Sequence, residues 1–364
     1  MGLENDIHEP CLYTWRKNGK FIFLIAYVDD LLIGGNDSDK INKVKSDLKG
    51  IFRMKDLGEP KMYLGMQIER NRKCQILTIN QSEYIEKILE RFNMKERKPQ
   101  KSPMETSQVK KRKMKDKSNF VEKVPYREAI GSLLYLAGAT RPDITYAVNI
   151  LARKQSNPST EDWNDVTRIF RYLRGTSSVG LTYKGKNEKL EATTDSSFRD
   201  WNDSSSTSGY IITLYGDAIA WRSHKQNEKN LSTCGAEYLA MSEACRELIS
   251  LDKAIREIIG RTFYPITIWC DNTSANRNTE MEGSHRLKHF DYPVKSIEEN
   301  LRFREENGKT KPLVESHGDF VKDLVIKGKV KCKWIHSKGN IADIITKPLL
   351  TEEVIKNYLI KFLI

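Results

Sequence analysis

Residues 190–345 alternate between element types in an order that few folds accommodate. Leu190–Thr194, Gly209–Tyr215 and Ala218–Arg222 read as three short strands in succession. A long helix follows over about Ala236–Ile259, with Leu248, Leu251, Ile255 and Ile258 at helical spacing. Ile266–Cys270 is a further strand with a short helix after it, Lys329–Ile335 is another strand, and Asn340–Ile345 opens a helix. The order β-β-β-α-β-α…β-α therefore predicts one mixed β-sheet with helices packed on it.

Four acids of this region stand at element ends. Asp195 closes a strand, Glu237 opens the long helix, Asp271 closes the next strand, and Asp343 lies in the first turn of the last helix. Taken singly, each has a structural explanation, because acids favour helix N-termini and Asp favours turns. As a set they have a chemical one. Carboxylates gathered at one sheet edge repel one another and raise their own pKa values. Two Mg²⁺ ions would neutralise them, and such a pair can activate a water and stabilise the leaving oxygen in phosphodiester cleavage. The apolar stripe of the long helix is core.

The N-terminal part carries a second acidic feature. Phe21–Val28 is an apolar, strand-forming run, Asp29-Asp30 interrupts it, and Leu31-Leu32-Ile33 resumes it before Gly34-Gly35. This predicts a hairpin with two carboxylates at its tip, either a metal site or an ordinary Asp-containing turn. Neighbouring strand residues face opposite ways, so one of the two would bind a metal directly. Of the preceding acids, Glu4, Asp6 and Glu9, none sits in a convincing apolar strand. Ser38–Phe52 is an amphipathic helix with Ile41, Val44, Leu48 and Ile51 on one face. Met62–Glu69 and Gln75–Ile79 read as strands, and Asn80 caps a helix carrying Ile85, Ile88, Leu89 and Phe92. Three helical patterns follow at Tyr126–Ala139, Pro142–Gln155 and Thr160–Leu173.

Charge bears on the partner. The chain of 364 residues carries a formal charge of +12. Residues 95–117 hold ten Lys or Arg against three acids, centred on Lys110-Lys111-Arg112-Lys113, which reads as a mobile basic linker able to touch phosphates. A polyanion such as nucleic acid is the first expectation, and a soluble protein with a basic segment is the plain alternative. No apolar run is long enough for a membrane span, and the polar start does not read as a signal peptide. The six cysteines form no C-x-x-C pair and read as reduced thiols. These features place the chain inside the cell, in cytoplasm or nucleus, and not among secreted proteins.

The strings themselves carry a family resemblance. Tyr27-Val28-Asp29-Asp30-Leu31-Leu32 resembles the YVDD box of reverse transcriptases. Met54-Lys55-Asp56-Leu57-Gly58-Glu59 with Tyr63-Leu64-Gly65, Tyr126–Leu133, Thr140-Arg141-Pro142-Asp143-Ile144 and Tyr172-Leu173-Arg174-Gly175-Thr176 resemble copia-type retrotransposon polymerases. Ser206–Tyr210, Ala236-Glu237-Tyr238, Cys270-Asp271-Asn272, Lys288-His289-Phe290-Asp291 and Ala342–Leu349 are similar to the ribonuclease H part of the same Pol polyproteins. The resemblance covers nearly the whole chain, with its motifs in family order.

It implies an α+β and α/β chain: a truncated reverse transcriptase palm over 1–79, a thumb-like helix over 80–94, the basic linker over 95–124, and a helical connection over 125–180. A ribonuclease H-like mixed β-sheet with helices then covers 181–350, and a C-terminal helix 351–364. By position Asp195, Glu237, Asp271 and Asp343 match the four ribonuclease H acids, and Asp29 and Asp30 match two polymerase metal ligands. The implied activity is Mg²⁺-dependent cleavage of the RNA strand of an RNA–DNA hybrid, with two ions at the site and Mn²⁺ as a substitute. His336 matches a loop histidine that assists product release in some ribonucleases H, and His289 an orienting position. In the family, the fingers and the first palm aspartate lie upstream, so the polymerase site is incomplete here and would need upstream Pol domains. Phe198 and Gly235 stand where the family usually has Trp and an acid. Tyr292-Pro293 puts a proline where a helix is expected, and about twenty extra polar residues, near 301–322, read as an inserted loop beside the site. The alternative in another class is a catalytically silent nucleic-acid-binding remnant.

Overall fold

The computed structural model describes residues 2–5, 9–105, 124–199, 205–227, 232–280, 305–306, 309–310 and 313–348. The chain divides into two compact units, one of Met1–Pro60 with Arg246–Tyr264, the other of Lys61–Cys245 with Pro265–Ile364.

The first unit is built on a four-stranded antiparallel sheet in the order β1 (Glu4–Asn5), β2 (Leu12–Lys17), β3 (Lys20–Tyr27), β4 (Asp30–Gly35). The expected hairpin is present, with Tyr27 paired to Asp30 across its turn. Two strands precede it, and one of the upstream acids, Glu4, lies in the short first strand. Helix α1 (Ser38–Ile51) starts where Asp37 Oδ1 accepts from the Lys40 amide at 3.1 Å. Its Val44 and Leu48 pack with Leu24 in a small core. Ile51, at the frayed end of the same face, is 66% exposed. Arg16 donates to the carbonyl oxygens of Arg256 and Glu257, capping a helix end whose chain turns away at Gly260, φ +75°.

In the second unit, β5 (Met62–Tyr63), β6 (Met66–Asn71), β7 (Ile76–Asn80) and β8 (Leu181–Tyr183) form another antiparallel sheet. The single strand expected over Met62–Glu69 is thus a hairpin. Leu64 (φ +48°) and Gly65 (φ +73°) make its two-residue turn, a conformation that hydrophobic periodicity does not reveal. Helix α2 (Ser82–Arg91) follows, with Asn80 Oδ1 accepting from the Ser82 amide at 3.1 Å.

The basic segment differs from expectation in its first part. Residues 95–105 lie against the helix that carries Arg168, Arg171 and Arg174 instead of moving freely. Arg171 Nε donates to Lys98 O at 2.7 Å, Arg168 pairs with Glu105 at 2.7 Å, and Met104 is 1% exposed. Met104 is the apolar anchor that the charge count concealed. The rest of the linker, 106–123, lies outside the described residues.

Helices α3 (Tyr126–Ala139), α4 (Thr145–Ala152) and α5 (Thr160–Gly175) enclose the main core, with Ile130, Leu133, Leu136, Val166, Ile169 and Phe170 fully buried. A capping box between Ser159 and Asp162 starts α5. Inside this core Arg141 is 0% exposed. It grips Asp143 through two nitrogens at 2.9 and 2.7 Å and donates to Thr176 O at 2.8 Å, while the Tyr172 hydroxyl donates to Asp143 Oδ2 at 2.7 Å. The Thr140–Ile144 and Tyr172–Thr176 strings therefore meet in one buried ionic network.

The second sheet of this unit has the order β11-β10-β9-β12-β15, with β9 (Leu190–Ser197), β10 (Thr207–Leu214), β11 (Asp217–Lys225), β12 (Ile266–Cys270) and β15 (Val330–Trp334). The three consecutive strands are antiparallel and the last two run parallel to β9 and β12, giving the expected mixed sheet. Helix α6 (Thr233–Ile259) lies between β11 and β12, and α7 (Thr273–Glu280) leaves β12. The segment read as an inserted loop contains a short hairpin, β13 (Glu305–Glu306) with β14 (Lys309–Thr310), and then helix α8 (Leu313–Ile326). A parallel β12–β15 pair needs a crossover, and α8 lies on it, with Val321 and Leu324 buried. Tyr292-Pro293, the Lys288–Asp291 string and the C-terminal helix expected over 351–364 lie outside the described residues. No helix of the described residues is long and apolar enough to cross a membrane. All six cysteines are free.

Candidate functional site

The site of the second unit is assembled at one end of β9. The strand runs on to Ser197, so Asp195 lies within it, not at its end, paired with Gly209 of β10. Parallel pairing sets Cys270 against Thr194. Asp271, the next residue, therefore leaves β12 level with Asp195. Glu237 is the fifth residue of α6, and one of its oxygens accepts from the Ser196 amide at 3.2 Å. Asp343 lies in the 3-10 helix Ile341–Ile345, which is held on both sides. Asn340 donates to Thr194 O at 3.1 Å and accepts from the Ala342 amide at 3.0 Å, while Ile344 and Ile345 are buried in the main core.

Carboxylate oxygens of Asp195, Asp271 and Asp343 lie within 4.8 Å of one another, and so do ligand atoms of Glu237, Cys270 and Asp271. Asp271 is common to both groups. Gly209 makes the approach of the 3-10 helix possible, since a Cβ there would stand 2.5 Å from Thr346 Cγ2 and 2.9 Å from Ile345 Cγ1. The Thr346 hydroxyl donates to Asp195. The Lys347 ammonium lies between two of the acids, 2.7 Å from Asp343 Oδ1 and 3.2 Å from Asp195 Oδ2.

Burial governs the electrostatics. Asp195 is 1% exposed and its pKa is pushed up to about 6, mainly by loss of water, against the pull of Lys347 and with a push from Asp343. Burial and then Asp195 raise Glu237 well above the usual carboxylate value. Burial also raises Asp343. Cys270, buried beside Glu237 at 3.7 Å, is held as a neutral thiol far above its ordinary range. The oxygen donors fit a hard divalent cation.

The other expected residues fall elsewhere. Asp29 and Asp30 are exposed at the β3–β4 turn, where Val28 takes φ +52° at 87% exposure, a strained conformation for a β-branched side chain. Among the described residues these two acids join no group of three metal-ligating side chains. His336 is exposed, its Nδ1 accepts from the Lys338 amide at 3.1 Å, and its ring stands edge-on to Trp334. It belongs to neither acid group. His289 lies outside the described residues. Sequence reasoning gave no role to Lys347, Thr346, Asn340 or Gly209. The i,i+4 spacing of Asp343 and Lys347 was the one available signal, since it returns a lysine to an acid one turn earlier.

Residues 1–106 match the family described as "Reverse transcriptase (RNA-dependent DNA polymerase)". The chain is 40% identical over 291 residues to the retrovirus-related Pol polyprotein from transposon TNT 1-94 of Nicotiana tabacum, covering 78% of this chain and 22% of the polyprotein. It is 35% identical over 236 residues to an uncharacterized mitochondrial protein of Arabidopsis thaliana, covering 62% of this chain and 93% of that one. Among solved structures, LC11-RNase H1 in complex with RNA/DNA hybrid is 17% identical with a TM-score of 0.27, over 43% of this chain and 93% of that one. The chain spans about a fifth of the length of the transposon polyproteins it matches.

Proposed function

The chain belongs to the copia-type retrotransposon Pol polyproteins, and from that membership we propose that its second unit hydrolyses the RNA strand of RNA–DNA hybrids with two Mg²⁺ ions. The observation that carries this reading is the convergence of Asp195, Asp271 and Asp343 within 4.8 Å, with Glu237 joined to them through Asp271. Asp195, Asp271 and Asp343 would hold one ion, and Glu237 and Asp271 the other. The ions would supply a water of lowered pKa and positive charge beside the leaving oxygen.

The chain's own residues prepare for that chemistry. The backbone amide of Ser196 aims Glu237, and the Thr346 hydroxyl aims Asp195. Asn340 fixes the 3-10 helix that carries Asp343. The thiol of Cys270 stays protonated, so it competes poorly for hard cations. The basic excess of the chain suits a backbone-contacting, sequence-independent grip on nucleic acid. DNA synthesis is not assigned to Asp29 and Asp30 by themselves, because a two-metal polymerase site needs a further acid from another strand.

Asp271→Asn tests the assignment, because Asp271 is common to both groups and half-buried at the surface, where the amide fits. Cleavage of a labelled hybrid should fall by about a hundredfold or more, with the melting transition retained. Wild-type cleavage by that variant would show the assignment to be wrong.

A further inference from the structure

Lys347 stands where the proposed function requires a metal. Its ammonium contacts Asp343 Oδ1 at 2.7 Å and both oxygens of Asp195, at 3.3 Å (Oδ1) and 3.2 Å (Oδ2). Asp195 is 2% exposed at its side chain, so bulk water does not solvate it, and the Thr346 hydroxyl also donates to it. The same two acids belong to the Asp195–Asp271–Asp343 group. An ammonium and a divalent ion cannot share those oxygens at bonding distance without severe repulsion.

Lys347 is also able to leave. It is 43% exposed and lies just beyond the 3-10 helix, on a long side chain that reaches water by rotating its outer bonds. The backbone that positions Asp343 is held by Asn340 and by the buried Ile344 and Ile345, independently of the lysine.

Resting on the ribonuclease reading above, we propose that Lys347 is a built-in counter-cation: its ammonium bridges Asp195 and Asp343 in the metal-free protein and is displaced when a divalent ion binds. It is a positioning residue with two consequences. It keeps the acids from springing apart when the site is empty of metal, and it weakens metal binding, because each ion must first displace it.

The experiment is a Mn²⁺ titration of the full chain, with bound ion counted by electron paramagnetic resonance, for wild type, Lys347→Gln, Lys347→Arg and Asp271→Asn. Lys347→Gln should melt below wild type in chelator yet bind Mn²⁺ about tenfold more tightly, one opposing charge having been removed. Lys347→Arg, which keeps the charge, should bind close to wild type. Should Lys347→Gln fail to fold, the wild-type protein still decides. Amine-reactive labelling of Lys347, read by peptide mass spectrometry, should rise severalfold at saturating Mn²⁺. Equal or weaker Mn²⁺ binding by a folded Lys347→Gln, or labelling indifferent to Mn²⁺, would overturn the proposal alone. Wild-type protein that binds no Mn²⁺ sensitive to Asp271→Asn would overturn the ribonuclease reading itself.

Discussion

Asp195 sits in a strand with a neighbour on each side, and its burial has a measurable consequence. Its pKa is about 6 in the fold, against 3.8 for the unfolded chain. Between those values the folded state holds more protons. The stability this contributes is fully present below pH 4 and is lost as pH rises through 6, amounting to about 3 kcal/mol. In chelator, the melting temperature of the second unit should therefore fall from pH 4 to pH 7. Mg²⁺ should restore it at the upper end by binding the ionised acids. A flat profile in chelator would mean that Asp195 is better solvated than its 1% exposure implies. The four acids were legible in the sequence because by position they match those of the family it resembles, although Asp195 lies inside its strand and Glu237 is the fifth residue of its helix. Lys347 was not, since a surface lysine just past a helix end has an ordinary explanation in almost any chain.

At the scale of elements, two contacts decide whether the site forms. The 3-10 helix Ile341–Ile345 rests on β10 at Gly209, where no side chain intervenes. Gly209→Ala should cost about 1–3 kcal/mol by overpacking and weaken Mn²⁺ binding by shifting Asp343. Unchanged stability and metal binding would show that the helix yields freely. The Arg141–Asp143–Tyr172 network joins α5 to the turn between α3 and α4. Asp143→Ala leaves a fully buried guanidinium without its partner, and should destabilise the second unit by about 3–5 kcal/mol, read from denaturant unfolding. Most strands and helices were legible because their apolar periodicity is strong, α3 and β12 to the residue. The exceptions have separate causes. The Leu64-Gly65 turn lies in backbone angles that periodicity does not encode. Helix α8 was hidden by the polar residues before it and by Gly318 within it, although half of its residues are apolar and the parallel pairing of β12 and β15 demanded a crossover.

At the scale of the molecule, the polymerase-like motif and the four-acid site lie in different compact units. Among the described residues, both groups of three side chains able to hold a metal ion lie in the second unit. This is the ground on which hydrolysis is proposed for the chain. The formal charge of +12 favours a polyanionic substrate held by its backbone. A binding remnant would share that charge and differ only in turnover. The measurement that separates the two is cleavage of an end-labelled RNA–DNA hybrid by the purified chain, in Mg²⁺ and in chelator, with a DNA duplex alongside. The account predicts Mg²⁺-dependent cutting of the RNA strand alone, abolished by chelator. A folded protein that binds the hybrid in a salt-sensitive way and never cuts it in Mg²⁺ would contradict it.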